Sequence, residues 1–207
     1  MTPIRIVPTA DGSHTLYSDR HKAHYHSLNG ALQESLHIYI RNGYEYLSLN
    51  EISILEVGFG TGLNAALTAL SAIEMSRKTI YTGIELYPLQ DEILTELNYG
   101  TILNDEVIEF WKKITAAQWG KEESINESFL LTKLQSDICT INLSNSYNLI
   151  YFDAFAPEDQ PEVWSYEIFK KLYNATNQNG ILVTYCSKGI VKQALRSVGY
   201  KVERLAG

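Results

Sequence analysis

Ile52-Ser53-Ile54-Leu55-Glu56-Val57-Gly58-Phe59-Gly60-Thr61-Gly62-Leu63-Asn64 is the stretch that decides the fold. It opens as an apolar, β-branched run of strand length. Leu63, Leu67, Leu70 and Ile73 then recur at helical spacing. Between strand and helix stand Gly58, Gly60 and Gly62, which let the backbone approach a ligand closely and leave amide N–H groups free. The acid ahead of them, Glu56, suits an amino or hydroxyl group better than a bare pyrophosphate. The dinucleotide fingerprint is G-x-G-x-x-G, and here the last glycine comes one residue early, which disfavours a nicotinamide enzyme. The alternative is a tight turn that binds nothing.

Working outward, strand-like runs at 52–58, 79–85, 147–153 and 180–186 alternate with helical patterns at 63–75, 88–98, 161–177 and 189–198. Leu130–Leu134 and a terminal Tyr200–Leu205 add two further strands, and residues 100–127 read as a helical insertion. This alternation predicts an α/β fold with a doubly wound, mostly parallel, Rossmann-like sheet. The first fifty residues do not fit it. Ile4–Val7 and Thr15–Tyr17 flank Asp11-Gly12 as a hairpin, and Leu28, Leu32, Leu36, Tyr39 and Ile40 follow at helical spacing. The expected organisation is an N-terminal accessory hairpin and helix over residues 1–50, and one compact domain over 51–207.

At 207 residues, with 45% hydrophobic and 20% charged residues, the composition is that of an ordinary globular enzyme. Cys139 and Cys186 lie far apart in apolar surroundings and read as reduced core residues. With no leader-like N-terminus and no apolar run of membrane-spanning length, the expectation is a soluble cytoplasmic protein without a membrane partner. Four of the five histidines (His14, His21, His24 and His26) fall in the N-terminal layer, but no carboxylate or cysteine joins them at ligand spacing, so no metal is expected. The net charge of −7 argues against a nucleic-acid partner until its distribution is read. Residues 85–160 carry 14 acids against 4 bases, whereas 161–207 carry 7 bases against 3 acids. Lys188, Lys192 and Arg196 can share one helix face, either to hold a phosphate backbone or simply to stay solvated.

In such a sheet, ligands sit beyond the carboxyl ends of the strands. Glu85 ends its strand about twenty residues past the glycines, where an acid accepts ribose hydroxyls. Asp137 is placed to accept from an adenine amino group or to serve as a turn aspartate. Asp153 ends Tyr147-Asn148-Leu149-Ile150-Tyr151-Phe152 and is followed by Ala154-Phe155-Ala156-Pro157. A carboxylate there can orient an amine and accept its proton. An alkylamine with a pKa of about 10.4 must lose that proton before it can attack.

Glu56 through Asn64 resembles the S-adenosylmethionine loop of class I methyltransferases, in the order E-x-G-x-G-x-G. Asp153-Ala154-Phe155-Ala156-Pro157 with Pro161 and Trp164, and Thr184-Tyr185-Cys186-Ser187-Lys188-Gly189, resemble segments of the MnmC-like methyltransferases of tRNA wobble-uridine modification. Tyr25-His26-Ser27 with Glu34-Ser35 and Ile38-Tyr39-Ile40 is similar to that family's N-terminal pattern. The resemblance implies N-methylation of 5-aminomethyluridine, giving 5-methylaminomethyl(-2-thio)uridine in the anticodon stem-loop of tRNA. Glu56, Gly58, Phe59, Gly60, Gly62, Asn64, Glu85 and Asp137 would then bind the donor, with Tyr25, Ser27 and Glu34 over it. Asp153 would be catalytic, and Phe155, Ala156, Pro157, Ser187, Lys188, Lys192 and Arg196 would contact the substrate. A chain of this length has no room for the flavin oxidase fused in some members, so the expected form is a stand-alone methyltransferase served by a separate amine-making enzyme. It stops at Leu205-Ala206-Gly207, before the family's short basic tail. The rival readings are a polyamine-type aminopropyltransferase, a small-molecule amine N-methyltransferase and a non-catalytic tRNA- or partner-binding module.

Overall fold

The computed structural model describes residues 4–144 and 146–205. The six-stranded sheet is built from β4 (Glu51–Val57), β5 (Lys78–Glu85), β6 (Glu122–Asn126), β7 (Phe129–Gln135), β8 (Tyr147–Phe152) and β9 (Thr176–Val183). Its order is β6-β7-β5-β4-β8-β9, parallel except for β6. The chain runs outward from β4 to β5 and β7, then returns to β8 on the other side of β4. Connections that part in this way leave a crevice beyond the carboxyl ends of β4 and β8.

Alternation along β4 and β8 sends side chains to two core layers. Ile52, Ile54, Leu149 and Tyr151 pack under α2 (Leu63–Glu74) and α5 (Asp105–Ala116). Leu55, Val57, Ile150 and Phe152 pack against α6 (Tyr166–Asn174) and α7 (Gly189–Val198). α2 is buried almost all round, and its alanines (Ala65, Ala66, Ala69, Ala72) let it lie close to its neighbours.

The N-terminal residues form a separate antiparallel sheet of β1 (Ile4–Pro8), β2 (His14–Ser18) and β3 (Ala23–His24). The β1–β2 turn is set by Asp11, which accepts from the Ser13 amide, with Gly12 at φ 85°. A single helical turn, α1 (Ala31–Glu34), then continues in the wider i→i+5 winding over Ser35–Tyr44. Buried Arg77 pins the end of that segment, donating to the carbonyls of Tyr44 and Leu47 at 2.5 Å each.

Several expected boundaries move. Of the helix expected over 88–98 only α3 (Asp91–Thr95) forms, and α4 (Tyr99–Ile102) begins just beyond it. The 100–127 insertion is helical only as far as Ala116 and ends in β6, whose residues gain ladder bonds from β7. The helix expected over 161–177 breaks at Ser165, whose hydroxyl caps α6 after a 3-10 turn, Pro161–Trp164. β9 begins at Thr176, four residues before the expected start at 180, and a register shift takes up the extra residues. Tyr200–Leu205 forms no strand: it has no ladder partner, and the Tyr200 hydroxyl instead meets Thr176 Oγ1 at 2.7 Å.

Candidate active site

The glycine loop closes over the end of β4. Gly58, Gly60 and Gly62 all hold positive φ, at 90°, 50° and 75°. A Cβ on Gly58 would lie 2.4 Å from the Asp153 carbonyl oxygen, so the loop can rest on the end of β8 only as glycine. The amides are not left free, contrary to expectation. Those of Gly58 and Phe59 both donate to the Ile84 carbonyl, that of Gly62 to the Phe59 carbonyl, and that of Gly60 to Glu85 Oε2 at 3.1 Å. Phe59 turns its ring into the core, where it occupies the space a side chain at Gly83 would need.

The loop borders a cleft of about 750 Å³ that is walled also by Tyr25, Asn64, Glu85, Asp137 and Asp153. Glu85 is half-buried and accepts from the amides of Gly60 and Tyr87. Burial raises its pKa, and those amide bonds oppose the rise. Asp137 folds into a turn by accepting from the Cys139 amide at 2.8 Å, and its carboxylate has further acceptor capacity.

Asp153 stands where the loop, α2 and the N-terminal helix meet. Its Oδ1 accepts from the Tyr39 hydroxyl at 2.6 Å and its Oδ2 from Asn64 Nδ2 at 2.9 Å. Burial pushes its pKa up to about 7. The Tyr39 bond opposes this, the nearby Glu34 charge adds to it, and the Asn64 bond again opposes it.

Asn64 gives its other N–H to Glu56 Oε1 at 2.9 Å. The reverse orientation would set the amide oxygen against the Asp153 carboxylate, so Nδ2 faces both acids while Asp153 is ionised, and Oδ1 is left buried without a partner. Glu56 is the clearest departure from the sequence reading. It is 0% exposed and absent from the cleft wall, on the side of β4 that carries Ile52 and Ile54. Burial lifts its pKa well above the usual carboxylate range. Its Oε2 and the Tyr81 hydroxyl interact electrostatically, but neither completes a hydrogen bond.

Over the cleft mouth, His21 stacks on Phe155 at 4.3 Å, and Tyr25 meets the same ring edge-on at 5.0 Å. Burial and the charge of Arg20 lower the His21 pKa, which favours a neutral ring. The turn after Asp153 is tied down by Trp164 Nε1, donating to the Phe155 carbonyl at 2.7 Å, and by the Tyr185 hydroxyl, donating to the Ala154 carbonyl at 2.8 Å.

A second hollow, bordered by Ser27, Glu34, Ala156, Tyr185 and again Tyr25 and Phe155, adjoins the cleft. Ser27 and Glu34 thus border this hollow rather than the cleft. Pro157 borders neither space. Ser187, Lys188, Lys192 and Arg196 also lie outside both walls, with Lys188 ion-paired to Glu158. Sequence reasoning had counted Tyr39 and His21 only as a helix-face aromatic and a conceivable metal ligand. Among the described residues, no group of three or more His, Cys, Asp or Glu is arranged to hold a metal ion.

These residues fit the donor that the resemblance implies. The cradle closes if Gly58 gains a Cβ, and two acids stand beyond strand ends where hydroxyl and amino groups need acceptors.

Comparison with known proteins agrees. A family model described as S-adenosyl-L-methionine-dependent methyltransferase matches residues 100–207. The tRNA 5-methylaminomethyl-2-thiouridine biosynthesis bifunctional protein MnmC of Burkholderia mallei (strain SAVP1) is 30% identical over 225 residues, covering 100% of this chain and 34% of that protein. The protein of the same name from Burkholderia pseudomallei (strain K96243) is 30% identical over 228 residues and likewise covered over 34% of its length. The chain therefore spans about a third of these relatives. The crystal structure of MnmC2 from Aquifex aeolicus is similar with a TM-score of 0.80 at 26% identity, covering 97% of this chain and 66% of that one.

Proposed function

Because the chain belongs to the S-adenosyl-L-methionine-dependent methyltransferase family whose model its residues 100–207 match, we propose that it N-methylates the 5-aminomethyl group of wobble uridine in tRNA. The product is 5-methylaminomethyl(-2-thio)uridine. The observation that carries this reading is Asp153: a carboxylate held at both oxygens, opening into the cleft beside the glycine loop, with its pKa pushed up to about 7. The names of the relatives supply the tRNA and the modified base, and the coverage of this chain by those relatives supports the transfer.

Bound S-adenosylmethionine supplies a methyl group on an electrophilic sulfonium. Gly58 to Gly62, Glu85 and Asp137 would hold it. The substrate enters as an ammonium, and Asp153 takes one proton on a carboxylate oxygen, leaving a neutral amine with a free lone pair. A carboxyl with pKa near 7 is matched to that task at cellular pH. Tyr39 and Asn64 keep the carboxylate in plane, Phe155 and Tyr25 exclude water, and residues 1–50 form the cover. The protein works in the cytoplasm. Among the described residues, no helix is long and apolar enough to cross a membrane.

The test is methyl transfer to tRNA from cells lacking this modification, read as nucleosides by mass. Conversion of 5-aminomethyluridine to its methylamino form, lost in Asp153→Ala with donor binding retained, is the expected result. Transfer to a polyamine or small amine instead, or no transfer to tRNA by a protein that binds donor, would overturn the proposal.

A further inference from the structure

The second hollow meets the cleft at Ala154, Phe155 and Tyr25, which line both spaces. Its walls combine aromatic faces (Tyr25, Phe155, Tyr185) with one partly buried acid, Glu34. Glu34 Oε1 accepts from the Ser27 amide at 3.1 Å. Among the described residues, no lysine, arginine or histidine forms an ion pair with Glu34 or with Asp153. Yet the two acids feel each other: the Glu34 charge raises the pKa of Asp153, and both raise those of Tyr39 and Tyr185. Asp153 borders the cleft and Glu34 the adjoining hollow, so two desolvated carboxylates stand on either side of the rim formed by Tyr25, Ala154 and Phe155, an unfavourable arrangement until a cation arrives. Independently, Asn64, a cleft-wall residue only 3% exposed, has its buried Oδ1 without a donor.

We propose that this hollow is the acceptor subsite and that Glu34 is its second anion, holding the substrate ammonium together with Asp153 while the attached ring stacks against Tyr25 and Phe155. The assignment rests on the proposed reaction and moves Glu34 from the donor to the acceptor. Donor-side acids are already present in Glu85 and Asp137, on the cleft wall that Glu34 does not reach. Selectivity follows from charge. A ring bearing an ammonium supplies the cation that both carboxylates lack, whereas one bearing hydrogen or a hydroxymethyl group does not. After Asp153 takes a proton, Glu34 remains as the anion that keeps the amine oriented.

Glu34→Gln keeps the acceptor for the Ser27 amide and removes only the charge. The experiment measures binding of two tRNA preparations to the protein saturated with S-adenosylhomocysteine, one carrying 5-aminomethyluridine and one plain uridine, with S-adenosylhomocysteine affinity measured separately. The wild type should prefer the amine-bearing tRNA by about tenfold or more. In Glu34→Gln that preference should fall to about threefold or less, with S-adenosylhomocysteine affinity unchanged within about twofold. An undiminished preference in Glu34→Gln, with or without weakened S-adenosylhomocysteine binding, would overturn the subsite while leaving the reaction standing. A wild type with no preference would remove the amine reading and the subsite with it.

Discussion

Asp153→Asn should abolish methyl transfer and yet stabilise the unliganded protein at neutral and alkaline pH. In the folded chain the carboxyl pKa stands at about 7 against an ordinary value of 3.8, so between those values the native state keeps a proton that the unfolded state has released. For such a group stability is full below the unfolded value and is lost as pH rises through the folded one. The whole shift corresponds to about 4 kcal/mol at ~1.36 kcal/mol per pH unit. Roughly a third of it, about 1.4 kcal/mol, falls between about pH 6 and pH 8. Asp153 opens partly to the cleft, and solvent screening brings the expected figure to about 1 kcal/mol.

The substitution is well tolerated by its neighbours. The new carbonyl still accepts from Tyr39. Asn64 can turn over to accept the new amide, because a protonated Glu56 carboxyl can then donate to the same Asn64 oxygen. Hydrogen bonds that involve no titrating group are common to all pH values, so they leave the slope unchanged. Urea unfolding of both proteins, followed by the fluorescence of Trp111, Trp119 and Trp164, gives the two stability curves. Their difference should grow in favour of the Asp153→Asn variant by about 1 kcal/mol from about pH 6 to pH 8. Parallel curves, or a variant that loses ground as pH rises, would refute a raised Asp153.

Tyr39→Phe removes the hydrogen bond that opposes the rise in Asp153, so the acid limb of kcat/KM should move to higher pH while donor affinity stays constant; an unmoved limb would show that the bond does not reach the reacting carboxyl. Gly58→Ala places a Cβ 2.4 Å from the Asp153 carbonyl oxygen at φ 90°, and should cost about 1–3 kcal/mol in denaturation and at least tenfold in donor affinity by calorimetry.

How legible the site was depends on what decides each residue. Strand-end acids follow from the alternation of strands and helices, so Glu85, Asp137 and Asp153 could be placed beyond the sheet without coordinates. The burial of Glu56 was not legible from parity: it keeps the parity of Ile52 and Ile54 along β4, but both faces of that strand are packed, and Asp153, which continues the parity of Tyr151 on β8, opens to the cleft.

Tyr39 was not legible at all. Its spacing marks it as a core aromatic, and it is indeed only 1% exposed, but one end of a tyrosine can be apolar while the other donates. Which carboxylate that hydroxyl meets depends on the wide winding over Ser35–Tyr44 and on a contact between residues 114 positions apart. β9 was misread for a similar reason: Asn177-Gln178-Asn179-Gly180 spells a turn, with Asn179 at φ 63°, and only pairing with β8 draws Thr176 into the sheet. The donor side of the site is thus written in a local loop and in strand ends. The proposed acceptor side is written in the packing of an N-terminal helix against β8, where the Tyr39 hydroxyl meets Asp153.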